Sequence, residues 1–411
     1  MNDMPHLRGW PRLWGLGVVS ILGLTVAACG ATPSTKSAPP TQTTTTSCNV
    51  HGTSQGVTAH SITLGVAEPE TGTGAADWGS VQGEQAYFDY ANAHGGVKGR
   101  KIQLIALNDQ YDPQTNIQDV RQLIDEDHVF ALAGGNGTPN TLASIPLIVQ
   151  SKIPDIGPNA PSNTLGTMAT PNVFVISPNY TQQFKALTKY VESHYHPSSY
   201  SLVGVTGSVD QSALAGMKAA VPSGVVINNI PETPGTANMA PLAEQLQHYN
   251  APWVFFILTD PDTGNLLEAM KRIGYTPRMA SWSGMTEKSA FIDPYGAFAQ
   301  GLIAIEAELP VDANALARKN GQLETQYLHH SPNTFQEMGW AQGAVTVAAL
   351  RGAKALTWSC LTASLNSLHD VNVGFYPPIS FSPESRQGTT DVALAKIEGS
   401  GLVQVSGFVG A

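Results

Sequence analysis

Residues 83–113 read GEQAYFDYANAHGGVKGRKIQLIALNDQYDP, and their order decides the fold. Gly83, Tyr87, Tyr90 and Ala91 fall on one helical face, because positions three and four apart share a side. Gly95-Gly96 comes next, and glycine accepts the left-handed backbone with which helices end. Ile102 to Leu107 is then a short apolar run, as expected of a strand covered on both faces. Ile62 to Val66, ahead of the helix, is another. Strand, helix and strand in this order imply parallel pairing across a helical crossover.

The alternation continues outward. Asn116 to Asp125 repeats the helical pattern with Ile117, Val120, Leu123 and Ile124, and Val129–Ala133, Ile153–Ile156 and Val173–Ile176 read as strands. A second series begins after Pro178. It runs through helix Gln182–Ser193, strand Ser201–Val205, helix Ser212–Ala220, strand Val225–Ile230, helix Ala240–Tyr249 and strand Trp253–Leu258. Two such blocks, each too short for one large sheet, predict two doubly wound parallel-sheet α/β lobes. From about Glu308 the chain adds two apolar helices, Phe335–Lys354 and Thr357–Leu368, which periodicity assigns to neither lobe.

Composition excludes several partners. The 411 residues include 42% hydrophobic and only 13% charged side chains, about half the usual charged share, so a disordered chain is not expected. A formal charge of -10 with no clustered Lys or Arg argues against nucleic acid, since phosphate binding needs concentrated positive charge. No His-Glu-x-x-His helix or Walker loop is present and no nucleophile is placed by a known geometry, so no catalytic nucleophile, metal or nucleotide is expected. His194-Tyr195-His196 could share a strand face and bind metal, but the triplet precedes Pro197-Ser198-Ser199 and reads as a solvated helix end.

The N-terminus carries an address. Arg8 and Arg12 precede an apolar run from Leu13 to Ala28, long enough for a signal sequence and short for a membrane span of roughly 20 residues. Val26-Ala27-Ala28-Cys29-Gly30 resembles a bacterial lipobox, which implies cleavage after residue 28, lipidation at Cys29 and an extracytoplasmic, membrane-anchored protein. An ordinary signal peptide is the alternative. Gly30 to Ser47 is 18 residues, ten of them Ser or Thr and three Pro, the composition of a flexible tether. Cys48 and Cys360 are an even pair in an exported chain, which favours a disulfide over two buried free thiols.

Three segments resemble the branched-chain amino-acid binding proteins of ABC importers, with the type I periplasmic binding fold. They are residues 83–113, the stretch Ala131 to Asn163 with IPDIGPNAPSN, and Met338-Gly339-Trp340-Ala341-Gln342-Gly343-Ala344. The resemblance implies two lobes joined by a three-strand hinge, crossing near Pro178, Glu308 and Gly388. The lobes then comprise 58–178 plus 309–388, and 179–308 plus 389–411, after a signal peptide over 1–28 and a tether over 29–57. In doubly wound sheets ligands sit at the carboxyl ends of strands, and here between two lobes. The resemblance implies that Asn136, Gly137, Thr138, Asn159, Ala160 and Ser162, which match the family's ligand-holding loops, line the first lobe's side. Trp78 either stacks on the ligand or packs on the lobe surface.

The second lobe departs from the family pattern. Val209-Asp210-Gln211-Ser212 and Leu258-Thr259-Asp260-Pro261 replace tyrosines, and Ser281-Trp282-Ser283-Gly284 replaces the carboxylate that meets a ligand ammonium. Asp210, Thr259, Asp260 and Ser283 are the candidates opposite, and without an acid among them the ligand is neutral or lacks an amine. The expected function is capture of a small polar ligand and its delivery to an ABC permease by a monomeric, cofactor-free, non-catalytic protein. Ligand sensing through a membrane receptor is the alternative.

Overall fold

A computed structural model describes residues 48–411 apart from 73, 287 and 307. The signal peptide, Cys29 and most of the tether lie outside the described residues. The first sheet is built from β1 (Ser61–Glu68), β2 (Lys101–Asn108), β3 (Ala131–Ala133), β4 (Asp155–Ile156) and β5 (Val173–Phe174). All pairings are parallel, in the order β2-β1-β3-β4-β5. Helices α1 (Gly79–Ala93), α2 (Pro113–Asp125) and α3 (Thr138–Ser151) connect these strands.

The second sheet follows with α4 (Tyr180–Tyr195), β6 (Ser199–Val205), α5 (Ser208–Lys218), β7 (Val226–Glu232), α6 (Ala240–Tyr249), β8 (Trp253–Ile257) and α7 (Asp260–Arg272). It continues through β9 (Arg278–Ser281), the short α8 (Asp293–Tyr295) and β10 (Ile303–Glu306). The chain then leaves for α9 (Ala315–Leu328), α10 (Thr334–Gly352) and α11 (Trp358–Leu365), and returns as β11 (Asp391–Glu398) and β12 (Gly401–Gly410). The strand order is β12-β11-β10-β9-β8-β6-β7.

The two late helices that periodicity left unassigned belong to the first lobe. Trp340 of α10 is fully buried and meets the ring of Tyr87 on α1 at 4.9 Å, in one core with Ile62, Leu64, Ala131 and Ile156. The opposite face of the first sheet buries Val120, Leu123 and Ile148 from α2 and α3. In the second lobe Phe184 and Met217 cover one face, and Leu246 and Leu266 the other. Both sheets are therefore wound on two sides, which is why central strands such as β8 are apolar without alternation.

Three features depart from the sequence expectation. The second sheet is not wholly parallel: β11 pairs antiparallel with β10 and β12, joined by a turn at Gly399 with φ 61°. Helix α5 starts at Ser208 rather than Ser212, because Gly207 at φ 115° turns the chain straight out of β6. The strand expected from Val129 begins at Ala131, after His128 takes a left-handed turn at φ 51°.

The N-terminal end of the described chain is sewn to α11. Cys48 and Cys360 are disulfide-bonded with Cα atoms 4.4 Å apart, and the Thr357 hydroxyl donates to the Asn49 carbonyl at 2.7 Å. Among the described residues, no helix is long and apolar enough to cross a membrane.

Candidate functional site

The loops at the carboxyl ends of β3 and β4 are laced together. The Asn159 side-chain amide donates to Asn136 Oδ1 at 2.7 Å, the Asn159 N–H to the Gly135 carbonyl at 2.7 Å, and the Gly137 N–H to the Asn159 carbonyl at 3.2 Å. These bonds extend the sheet ladder by one bridge beyond the strands. Gly137 has φ 93° and caps α3 without any side-chain acceptor. The first N–H groups of α3 therefore keep their hydrogen-bonding capacity for a carboxylate or carbonyl oxygen. Helices α1 and α5 also start without a side-chain cap, at Trp78 and Gly207, whereas Asn179, Thr259 and Asn333 cap α4, α7 and α10.

Below this loop the chain places acids. Glu68, at the end of β1, accepts from the Ser80 hydroxyl and, at 3.3 Å, from the Gly135 N–H. Glu84 of α1 and Asp155 of β4 are also buried. Burial pushes the Asp155 carboxyl up to about 7, and burial with repulsion from Glu68 and Asp155 raises Glu84 well above the usual range. Asp109 braces the loop from the side. Its Oδ2 accepts from Asn116 and from Asn140 of α3, both at 2.8 Å, while Asp112 caps α2 by accepting from the Thr115 N–H at 2.7 Å. The acids of the NDQYDP segment thus position helices rather than meet a ligand.

Thr138, the first residue of α3, reaches the other lobe. Its hydroxyl lies 3.0 Å from that of Tyr180, the first residue of α4, and the Tyr180 N–H donates to the Pro161 carbonyl at 2.8 Å. The Tyr180 ring stands edge-on to Trp282, whose indole N–H donates to the Leu258 carbonyl at 2.9 Å. Tyr180 and Trp282 were not candidates from sequence, and neither was Tyr111, whose ring lies where a β-carbon on Gly137 would fall. An aromatic at the head of a helix after a Pro-Asn turn was the available signal for Tyr180.

The remaining candidates divide. Ala160 is buried, and Ser162 pairs its hydroxyl with that of Thr164 at 3.0 Å. Trp78 is half-buried at the start of α1. Asp210 is turned into the second sheet: it is buried against Gly204 and accepts from the Asn229 amide at 2.9 Å, so this carboxylate serves the lobe interior. The Thr259 hydroxyl donates to Asp262 Oδ2 at 2.8 Å and caps α7 by accepting from the Asp262 N–H at 3.3 Å. Asp260 and Ser283 remain half-buried at strand ends. His194 bonds the Tyr190 carbonyl at 2.8 Å in an exposed helix end. An open cavity of about 660 Å³, lined by Tyr195, Trp253 and Arg278, sits at the amino ends of the second sheet's strands, away from these loops.

A family model described as periplasmic binding protein matches residues 61–401. The Leu/Ile/Val-binding protein homolog 3 of Brucella melitensis is 24% identical over 201 residues, 47% of this chain and 54% of that protein. The chain spans about half the length of this curated relative. Among solved structures, the fatty acid ABC transporter substrate-binding protein from Thermomonospora curvata superposes with a TM-score of 0.77 at 20% identity, covering 88% of this chain and 95% of that one. A branched chain amino acid ABC transporter from Thermus thermophilus with bound valine gives 0.74 at 18% identity, covering 86% and 98%.

Proposed function

Because the chain belongs to the periplasmic binding protein family, we propose that it is a non-catalytic, extracytoplasmic solute-binding protein. It captures a small ligand between its lobes and delivers it to an ABC importer. The observation that carries this reading is the uncapped start of α3, held by the Asn136–Asn159 lacing and facing Tyr180 of the second lobe. Anchoring through a lipid on Cys29 belongs to the same proposal, supported by the small residues before that cysteine and the Thr- and Ser-rich stretch after it.

The chemistry favours a ligand with a carboxylate or carbonyl at one end and an apolar body. Orphan helix N–H groups suit the oxygen end, and Tyr180 and Trp282 present aromatic surface to the remainder. The relatives' names span valine and fatty acid, which share that plan. With Asp210 turned inward, Asp260 is the second-lobe candidate for meeting an ammonium.

Thermal unfolding against branched-chain amino acids, fatty acids, aromatic acids and neutral amides tests the reading. A ligand at about a hundred times its dissociation constant adds about 2.7 kcal/mol, a rise of several degrees. Carboxylates should raise the midpoint and the matching neutral amides should not. A shift with amides alone would sink the assignment to α3, and silence across the panel would count against solute capture.

A further inference from the structure

The fold gathers cations that the sequence leaves in separate segments. Residues 48–60, 94–101 and 351–365 hold Lys98, Arg100, Lys101, Arg351 and Lys354 and not one Asp or Glu, although the whole chain has 31 acids to 21 Lys and Arg. The three segments meet at the amino end of the first sheet. Arg100 Nε donates to the Thr58 carbonyl at 2.7 Å, and the Lys101 N–H donates to the His60 carbonyl at 2.8 Å. Lys98 Nζ donates to the Arg351 carbonyl at 3.3 Å, and Arg351 Nη2 to the Gly96 carbonyl at 3.2 Å. The Ser54 N–H donates to the Leu356 carbonyl at 3.0 Å, and the disulfide ties Cys48 to Cys360 of the third segment. Lys98, Lys101, Arg351 and Lys354 are exposed, and none of the five cations makes an ion pair among the described residues.

Position says what this end meets. Cys48, through which the Ser- and Thr-rich stretch joins the body, belongs to the same group of segments, and Val50 beside it is an apolar side chain left 51% exposed. The candidate ligand loops leave the opposite, carboxyl ends of β3 and β4, and the eight residues of β1 put roughly 25 Å between the two ends. Acids flank the cations without pairing with them. Asp89 lies on α1, and Asp125, Glu126 and Asp127 lie around the end of α2, where Gln55 donates to the Ile124 carbonyl at 3.0 Å. A positive end on a negative body is drawn to an anionic surface in one orientation. The body's remaining negative charge is screened beyond about 8 Å at physiological ionic strength, so the face nearest such a surface decides the contact.

We propose that this end of the first lobe rests on the anionic lipid headgroups of the membrane, with the candidate ligand loops turned outward. The choice of a membrane as partner rests on the extracytoplasmic reading above; the charge arrangement does not. Each Lys or Arg close to an anionic lipid surface tightens binding about fivefold. Five such contacts are weak for a free protein and sufficient for one held at Cys48, because a short linker keeps the effective concentration in the millimolar range. The same weakness lets the body lift off the bilayer when it delivers its ligand.

Both sheets, the helices of the two lobes and the disulfide lie within residues 48–411, which belong to one compact unit, so this part can be tested without the leader or Cys29. Its co-sedimentation with vesicles is measured at about 0.1 M salt, using phosphatidylcholine alone or phosphatidylcholine with phosphatidylglycerol at about two to one. Binding should require phosphatidylglycerol and weaken as salt is raised. Lys98→Glu/Lys101→Glu/Lys354→Glu should lower the affinity on the order of a hundredfold. Lys189→Glu/Lys218→Glu/Lys319→Glu changes the net charge equally at exposed positions elsewhere and should bind as wild type does. Should the first triple variant fail to fold by circular dichroism, Lys101→Glu/Lys354→Glu should still weaken binding more than tenfold. No binding to the mixed vesicles, equal binding to phosphatidylcholine alone, or equal losses in the two triple variants would overturn the proposal. The assay contains neither solute nor lipidated cysteine, so such a failure leaves solute capture and anchoring at Cys29 untouched.

Discussion

Gly137 joins two requirements in one residue. Its φ of 93° is a region that L side chains rarely adopt, and a β-carbon there would lie 2.8 Å from the Tyr111 ring. Gly137→Ala should therefore cost about 1–3 kcal/mol and weaken ligand capture by shifting the start of α3. Denaturant unfolding checks the first effect and ligand titration the second; an unchanged midpoint would show that the loop relaxes freely. The residues of this loop were legible in sequence because Gly, Asn and Thr directly after an apolar strand mark a turn into a helix. Their aromatic partners were not. Thr138 meets Tyr180 across 42 positions, and no local pattern encodes a contact of that span. The inward turn of Asp210 was hidden for another reason: an acid in the first turn of a helix satisfies the helix dipole wherever its side chain points.

Helices α1 and α10 touch through glycines at the scale of whole elements. A β-carbon on Gly83 would strike the Gln336 backbone, and one on Gly339 the Ser80 backbone, so each helix presents a bare position to the other's main chain. Trp340, next to Gly339, then reaches Tyr87 and Tyr90 in the shared core. Gly339→Ala should separate the axes and destabilise by about 1–3 kcal/mol or more, read as a lower thermal midpoint. Retention of the wild-type midpoint would mean the crossing is loosely packed. The alternation of apolar strands and amphipathic helices made most of the fold readable, since period and length differ between the two. The late elements were less so. Helix α10 is buried nearly all round and loses the amphipathic stripe that tells which sheet it covers, and β12 is half-exposed along its length and has no apolar run.

Acids buried without cations give the whole molecule a direction of response to pH. Folding raises these groups from an ordinary 4.5 for glutamate, so the folded chain holds protons that the unfolded chain releases. Stability is intact below the ordinary carboxylate range and falls as pH climbs through about 7 for Asp155, about 8 for Glu306 and Glu337 and about 9 for Glu324. The thermal midpoint should thus decline between about pH 5 and about pH 9, and a midpoint that rises across that interval would contradict the protonated state of these groups. The disulfide between Cys48 and Cys360, 312 residues apart in sequence, has a different reach. A protease that cuts any exposed loop between those two cysteines produces two fragments that stay covalently joined. A nicked molecule therefore keeps both pieces in place, and its damage becomes visible on a gel only after reduction.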